Sequence, residues 1–248
     1  PSSAASDVYK RQLLLYGYGS YEASFDPGFS VSRLSMLDRG VVFVLAHVRG
    51  GGEMGRHWYE NGKTLTKKNT FTDFVDSARY LVDKGWTTPK LMVAEGGSAG
   101  GLLMGAVANL APELFNGILA SVPFVDALNS ILDPSLPLTV IEWDEWGDPL
   151  HDAEVYEYMK SYSPYENVTA QPYPSILAET SLNDTRVMYT EAAKWVAKLQ
   201  ALSTSDAPIM LKTEMSAGHG GVSGRYKQWE EVAFELAWIL QQTGALTE

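Results

Sequence analysis

With 248 residues, 45% of them hydrophobic and 20% charged, the chain has the size and composition of a globular α/β protein and not of a disordered or fibrous one. Its formal net charge of −11 repels nucleic acid and anionic membranes and favours a cationic guest. The absence of cysteine excludes disulfides, thiolate catalysis and cysteine-held metal.

Residues 1–12 are largely polar and small and carry no useful periodicity, so the globular unit is expected over residues 13–248. Leu13-Leu14-Leu15-Tyr16 reads as a strand. Val41 to Ala46 reads as another, an unbroken apolar run of the kind expected where both faces of a sheet are covered, and it ends in the glycine-rich stretch His47 to Gly52. Phe71, Phe74, Val75, Ala78, Leu81 and Val82 recur at spacings of three and four, one helical stripe over Phe71 to Lys84. A strand at Leu91 to Ala94, a turn at Gly96 to Gly101 and a small-residue helix at Leu102 to Leu110 follow. Further strands fit Asn116 to Val122, Ser175 to Glu179 and Pro208 to Glu214, with amphipathic helices at Tyr189 to Leu202 and Tyr226 to Gln242. Between Asp126 and Gln171 a proline- and tryptophan-rich stretch breaks the alternation. Strands alternating with helices imply a mostly parallel sheet with helices on both faces, here of six strands.

The chemistry concentrates in a few places. Gly96-Gly97-Ser98-Ala99-Gly100 matches the G-x-S-x-G nucleophile elbow, and its setting between strand and helix is the context that motif requires. A serine hydroxyl needs a base within hydrogen-bond reach. Of the four histidines, only His219, in Ala217-Gly218-His219-Gly220-Gly221, follows a late strand whose carboxyl end can reach the elbow. The orienting acid falls between serine and histidine in this fold, and Asp184, after the strand Ser175 to Glu179, fits; it could equally cap the helix behind it. The amide of Ala99 is one expected oxyanion donor, and the loop Tyr16 to Tyr21 could supply a second from a backbone amide or a tyrosine hydroxyl. No metal or cofactor is expected: Gly50-Gly51-Gly52 lacks the lysine and hydroxyl residue of a phosphate loop, and no H-E-x-x-H occurs.

Several runs in order resemble the peptidase domain of the prolyl oligopeptidase family, and within it the oligopeptidase B branch. They are Leu15 to Tyr21, His47 to Glu53, Gly96 to Gly101 and Tyr158-Met159-Lys160-Ser161-Tyr162-Ser163-Pro164-Tyr165. The resemblance implies an α/β-hydrolase fold, Ser98, Asp184 and His219 as catalytic triad, and Tyr18 as the hydroxyl donor beside the Ala99 amide. It also implies cleavage of short peptides after arginine or lysine, with Glu142 and Asp144 as the acidic pair receiving that side chain; the branch usually has glutamate at the second place. A further acidic pair falls on Asp26 and Gly28, so one of its two carboxyls is lost. Full-length relatives carry a β-propeller and leading strands of the hydrolase sheet that are not found here, so the chain is expected to begin at about the third strand of the fold, with an exposed edge there.

The sequence thus predicts a serine peptidase acting on short basic peptides through an acyl-enzyme. Its alternatives are a broad-specificity esterase or peptidase of the same fold, or an inactive piece serving as a binding module. Neither nucleic acid nor membrane is expected as partner, and with no leader-like start a cytoplasmic location is the expectation.

Overall fold

The computed structural model describes residues 11–245; the first ten residues of the 1–12 segment lie outside them. Six strands form one sheet in the order β2-β1-β3-β4-β5-β6: β1 (Leu13–Tyr16), β2 (Val42–Leu45), β3 (Met92–Gly97), β4 (Gly117–Ser121), β5 (Ser175–Ser181) and β6 (Ile209–Glu214). All five pairings are parallel. Each crossover therefore returns along a helix, and the carboxyl ends of all the strands face one edge of the sheet.

Helices α1 (Val31–Leu37) and α9 (Arg225–Thr243) cover one face, and α3 (Lys68–Asp83), α4 (Ala99–Leu110) and α8 (Tyr189–Leu202) cover the other. Leu13, Leu14 and Leu15 have no exposed surface, as an unbroken apolar strand between two helical layers requires. Strand β2 departs from that expectation. Its equally apolar residues are only half-buried, because β2 is an edge strand with a neighbour on one side.

The stretch between β4 and β5 holds three short helices, α5 (Ala127–Leu132), α6 (Thr139–Trp146) and α7 (Ala153–Lys160). Helix α2 (Arg56–Glu60) and a 3-10 turn at Thr64–Thr66 precede α3. Nothing in the hydrophobic pattern marks α6, whose buried positions are Thr139, Glu145 and Trp146. Helix α4 starts at Ala99, three residues before the predicted helix, so the serine is the residue on which strand turns into helix. No helix of the described residues is long and apolar enough to cross a membrane.

Candidate active site

Ser98 stands between β3 and α4 with φ 56° and ψ −116°, a conformation that costs a non-glycine residue of order 1–3 kcal/mol and needs support from its surroundings. Glycines around it provide the space. A Cβ on Gly96 would lie 2.4 Å from the Gly100 carbonyl oxygen, one on Gly100 2.7 Å from that of Gly17, and one on Gly101 2.4 Å from the Pro123 Cα. Hydrogen bonds fix the turn from the neighbouring strand: Ser98 N–H donates to Ser121 O at 2.8 Å, and Phe124 N–H to Ser98 O at 3.1 Å. The Ala99 amide falls in the first turn of α4, where N–H groups have no acceptor within the helix and the helix dipole is positive.

The loops after β5 and β6 bring the other two residues to the serine. His219 Nε2 lies 3.1 Å from Ser98 Oγ, and His219 Nδ1 lies 2.7 Å from Asp184 Oδ2. The Asp184 carboxylate is fully buried and divides its oxygens between two tasks. Oδ2 meets the histidine, while Oδ1 accepts the amides of Arg186 at 2.8 Å and Val187 at 3.0 Å. Those bonds form a local turn, not a helix cap, since α8 begins only at Tyr189. Asn183 N–H donates to Ala217 O, tying the aspartate loop to the histidine loop. Three residues, separated by 86 and 35 positions in sequence, thus share one hydrogen-bonded line.

Tyr18 lies in the loop after β1, against the elbow: a Cβ on Gly100 would be 3.3 Å from the Tyr18 Cα. Its ring packs on Phe25 at 5.1 Å and Tyr21 at 6.4 Å between centroids. Burial, reinforced by Glu145 and Glu142, pushes the Tyr18 phenol above its ordinary range, so it keeps its proton and can donate. Gly50 backs this loop, at φ 97° and with a Cβ position only 2.1 Å from Gly19 O, so only glycine allows the approach.

Helix α6 separates the two acids that the sequence paired. Glu142 faces inward, half-buried, and accepts from Trp146 Nε1 at 3.1 Å; burial pushes its carboxyl above the usual range. Asp144 lies two positions on, about 200° around a helix. Its side chain is 89% exposed and pairs with Lys63 at 3.1 Å. Glu145 comes round beneath Glu142 instead; buried, it accepts the Tyr21 amide at 3.0 Å and the Tyr59 hydroxyl at 2.7 Å. Asp26 is exposed and lines a cavity of about 340 Å³ with Phe25, Arg33 and Glu95, and a Cβ on Gly28 would meet only the Asp26 carbonyl oxygen, at 3.9 Å.

The sequence reading missed Glu145, Arg186 and Lys67. Arg186 is the cation whose field reaches both Tyr18 and Glu142. Its position two residues after Asp184 was the only available pointer. Among the described residues no cluster of histidine, aspartate and glutamate could hold a metal ion.

A model of the prolyl oligopeptidase family matches residues 27–246. The chain belongs to that family. Over 95% of its length it is 55% identical to Protease 2 of Moraxella lacunata, and over 96% it is 52% identical to dipeptidyl aminopeptidase BI of Pseudoxanthomonas mexicana. Among solved structures, oligopeptidase B from Leishmania major superposes with a TM-score of 0.94 at 49% identity over 96% of the chain. The fold is therefore the α/β-hydrolase fold of the family's peptidase domain. The chain spans 34%, 33% and 33% of those three proteins, about a third of each.

Proposed function

We propose that this chain carries the catalytic site of a serine peptidase that hydrolyses short peptides after arginine or lysine. The observation that carries the reading is the continuous line from Ser98 Oγ to His219 Nε2 and from His219 Nδ1 to Asp184 Oδ2, at 3.1 and 2.7 Å. In this mechanism His219 Nε2 takes the hydroxyl proton as Ser98 Oγ attacks the scissile carbonyl carbon. The Nδ1–H donates to buried Asp184, which fixes the tautomer and steadies the imidazolium. The tetrahedral oxyanion is met by the Ala99 amide and the Tyr18 hydroxyl. His219 then gives its proton to the leaving amine as the C–N bond breaks, and water, deprotonated by the same histidine, releases the acyl group from Ser98.

Preference for a basic side chain rests on Glu142. It is a half-buried carboxylate near Tyr18, in a protein of net charge −11, so a guanidinium is drawn to it at long and short range. Asp144 faces solvent and has no part in this reading. Restriction to short peptides is part of this proposal through the family resemblance alone, since the chain spans only about a third of the relatives it matches.

The test is kcat/KM, in the native full-length protein, on matched fluorogenic amides with arginine, alanine or proline before the scissile bond, with Ser98→Ala as blank. Arginine selectivity that vanishes in the blank supports the reading; equal rates for all three would overturn the specificity and leave a broad hydrolase. A second reading, release of dipeptides from a free amino terminus, is favoured by the 52% identity to a relative of that name. It predicts that blocking the substrate's amino terminus abolishes turnover.

A further inference from the structure

Lys67 is 1% exposed, lies directly before helix α3 at its positive end, and forms no ion pair among the described residues. Burial and helix dipole both oppose a cation there, so something else must hold it. Its ammonium donates to Gly19 O at 2.6 Å and to Ser20 Oγ at 2.7 Å, and its third side faces the Trp146 ring, 5.1 Å from the centroid. Gly19 and Ser20 directly follow Tyr18. Immediately beyond them, the Tyr21 amide donates to the buried Glu145 carboxylate.

The loop so held is strained. Gly19, Tyr21 and Glu22 all have φ between 56° and 70°, and the last two are not glycine. Left-handed non-glycine residues persist only where the surroundings over-determine them. Here one buried cation holds the carbonyl side of the loop, and one buried carboxylate holds the amide side. Burial lowers the Lys67 ammonium to about 8, against the pull of Glu145, so it stays largely charged at neutral pH.

We propose that Lys67 is a positioning residue for catalysis: through Gly19 O and Ser20 Oγ it fixes the loop that aims the Tyr18 hydroxyl at the oxyanion. The proposal rests on the role given above to Tyr18. Lys67 touches neither substrate nor the triad in this role, and its effect passes entirely through Tyr18.

A double-mutant cycle on steady-state amide hydrolysis in the full-length protein tests it. Lys67→Met is expected to lower kcat roughly 10- to 100-fold, as for loss of a charged hydrogen bond, with KM held within about twofold. Tyr18→Phe alone is expected to cost about 10²–10³, typical of one oxyanion donor. Added to Tyr18→Phe, Lys67→Met should cost nothing further. An equal loss in both backgrounds, or a rise in KM with unchanged kcat, would overturn the proposal. If circular dichroism finds Lys67→Met unfolded, Ser20→Ala takes its place in the cycle, with a smaller kcat loss that also disappears in the Tyr18→Phe background; persistence of that loss would overturn it equally. A Tyr18→Phe enzyme with wild-type kcat would instead overturn the Tyr18 role itself. Slow Tyr18→Phe beside unimpaired Lys67→Met and Ser20→Ala would overturn the Lys67 proposal alone.

Discussion

Two carboxylates distinguish what a single residue does for folding from what it does for chemistry. In Asp184→Asn the side-chain oxygen can still accept the Arg186 and Val187 amides, while the new NH₂ faces His219 and forces the wrong tautomer. The expected outcome is a kcat lower by about 10⁴ with a nearly unchanged melting temperature, read from parallel kinetics and thermal unfolding. Asp184→Ala should lose both. On α6, Glu142→Gln should reduce kcat/KM for the arginine amide roughly 10- to 100-fold and leave the alanine amide nearly unaffected. Asp144→Asn, removing only a surface pair with Lys63, should change either by less than about twofold. The meeting of Ser98, Asp184 and His219, the proposed triad, was legible in the sequence because each sits in a glycine-rich or strand-end context that few other functions require. The acidic pair was not, because letters two apart do not tell which side of a helix they occupy; only the helix, hidden by its buried glutamate, does so.

The strand-turn-helix elements explain why some glycines are fixed and others free. Gly101→Ala would drive a methyl to 2.4 Å from the Pro123 backbone, whereas Gly97→Ala would meet nothing closer than Ser121 O at 3.4 Å. Thermal or urea unfolding should therefore find Gly101→Ala destabilised by about 1–3 kcal/mol and Gly97→Ala by less than about 1. The G-x-S-x-G pattern treats Gly96 and Gly100 alike and is silent on Gly101, and the structure supplies a different obstacle for each. The six strands were readable from apolar runs, and α3, α8 and α9 from their periodicity. Helices α1, α2 and α5 to α7 were not, since eight residues or fewer give too little period to see. Two left capping traces that a closer reading could use: Ser30 accepts the Arg33 amide before α1, and Asp152 accepts the amides of Glu154 and Val155 before α7.

At the scale of the whole molecule, acids under the sheet set its response to pH. Glu95 is pushed up to about 7, by burial first and then by Glu179. Glu235 is pushed up to about 8 by burial and by its hydrogen bond to Glu179. Both lie above their ordinary value of 4.5, so the folded protein holds protons that the unfolded chain releases. Their contribution is complete below the unfolded value and is lost as pH rises through about 7 and 8. Melting temperature should accordingly fall between about pH 5 and 8, and Glu235→Gln should flatten that decline. A curve rising over the same interval would contradict this account. The parallel sheet has one more effect, on when the serine becomes reactive. Ser98 directly follows the inner strand β3, but His219, its proposed base, hangs from β6, the far edge strand, 121 residues later in sequence. In the proposed mechanism, a chain leaving the ribosome exposes Ser98 long before His219 is made, and the hydroxyl is expected to stay inert until that edge strand docks. Covalent labelling of Ser98 by a fluorophosphonate is therefore expected to serve as a clock for the last stage of folding.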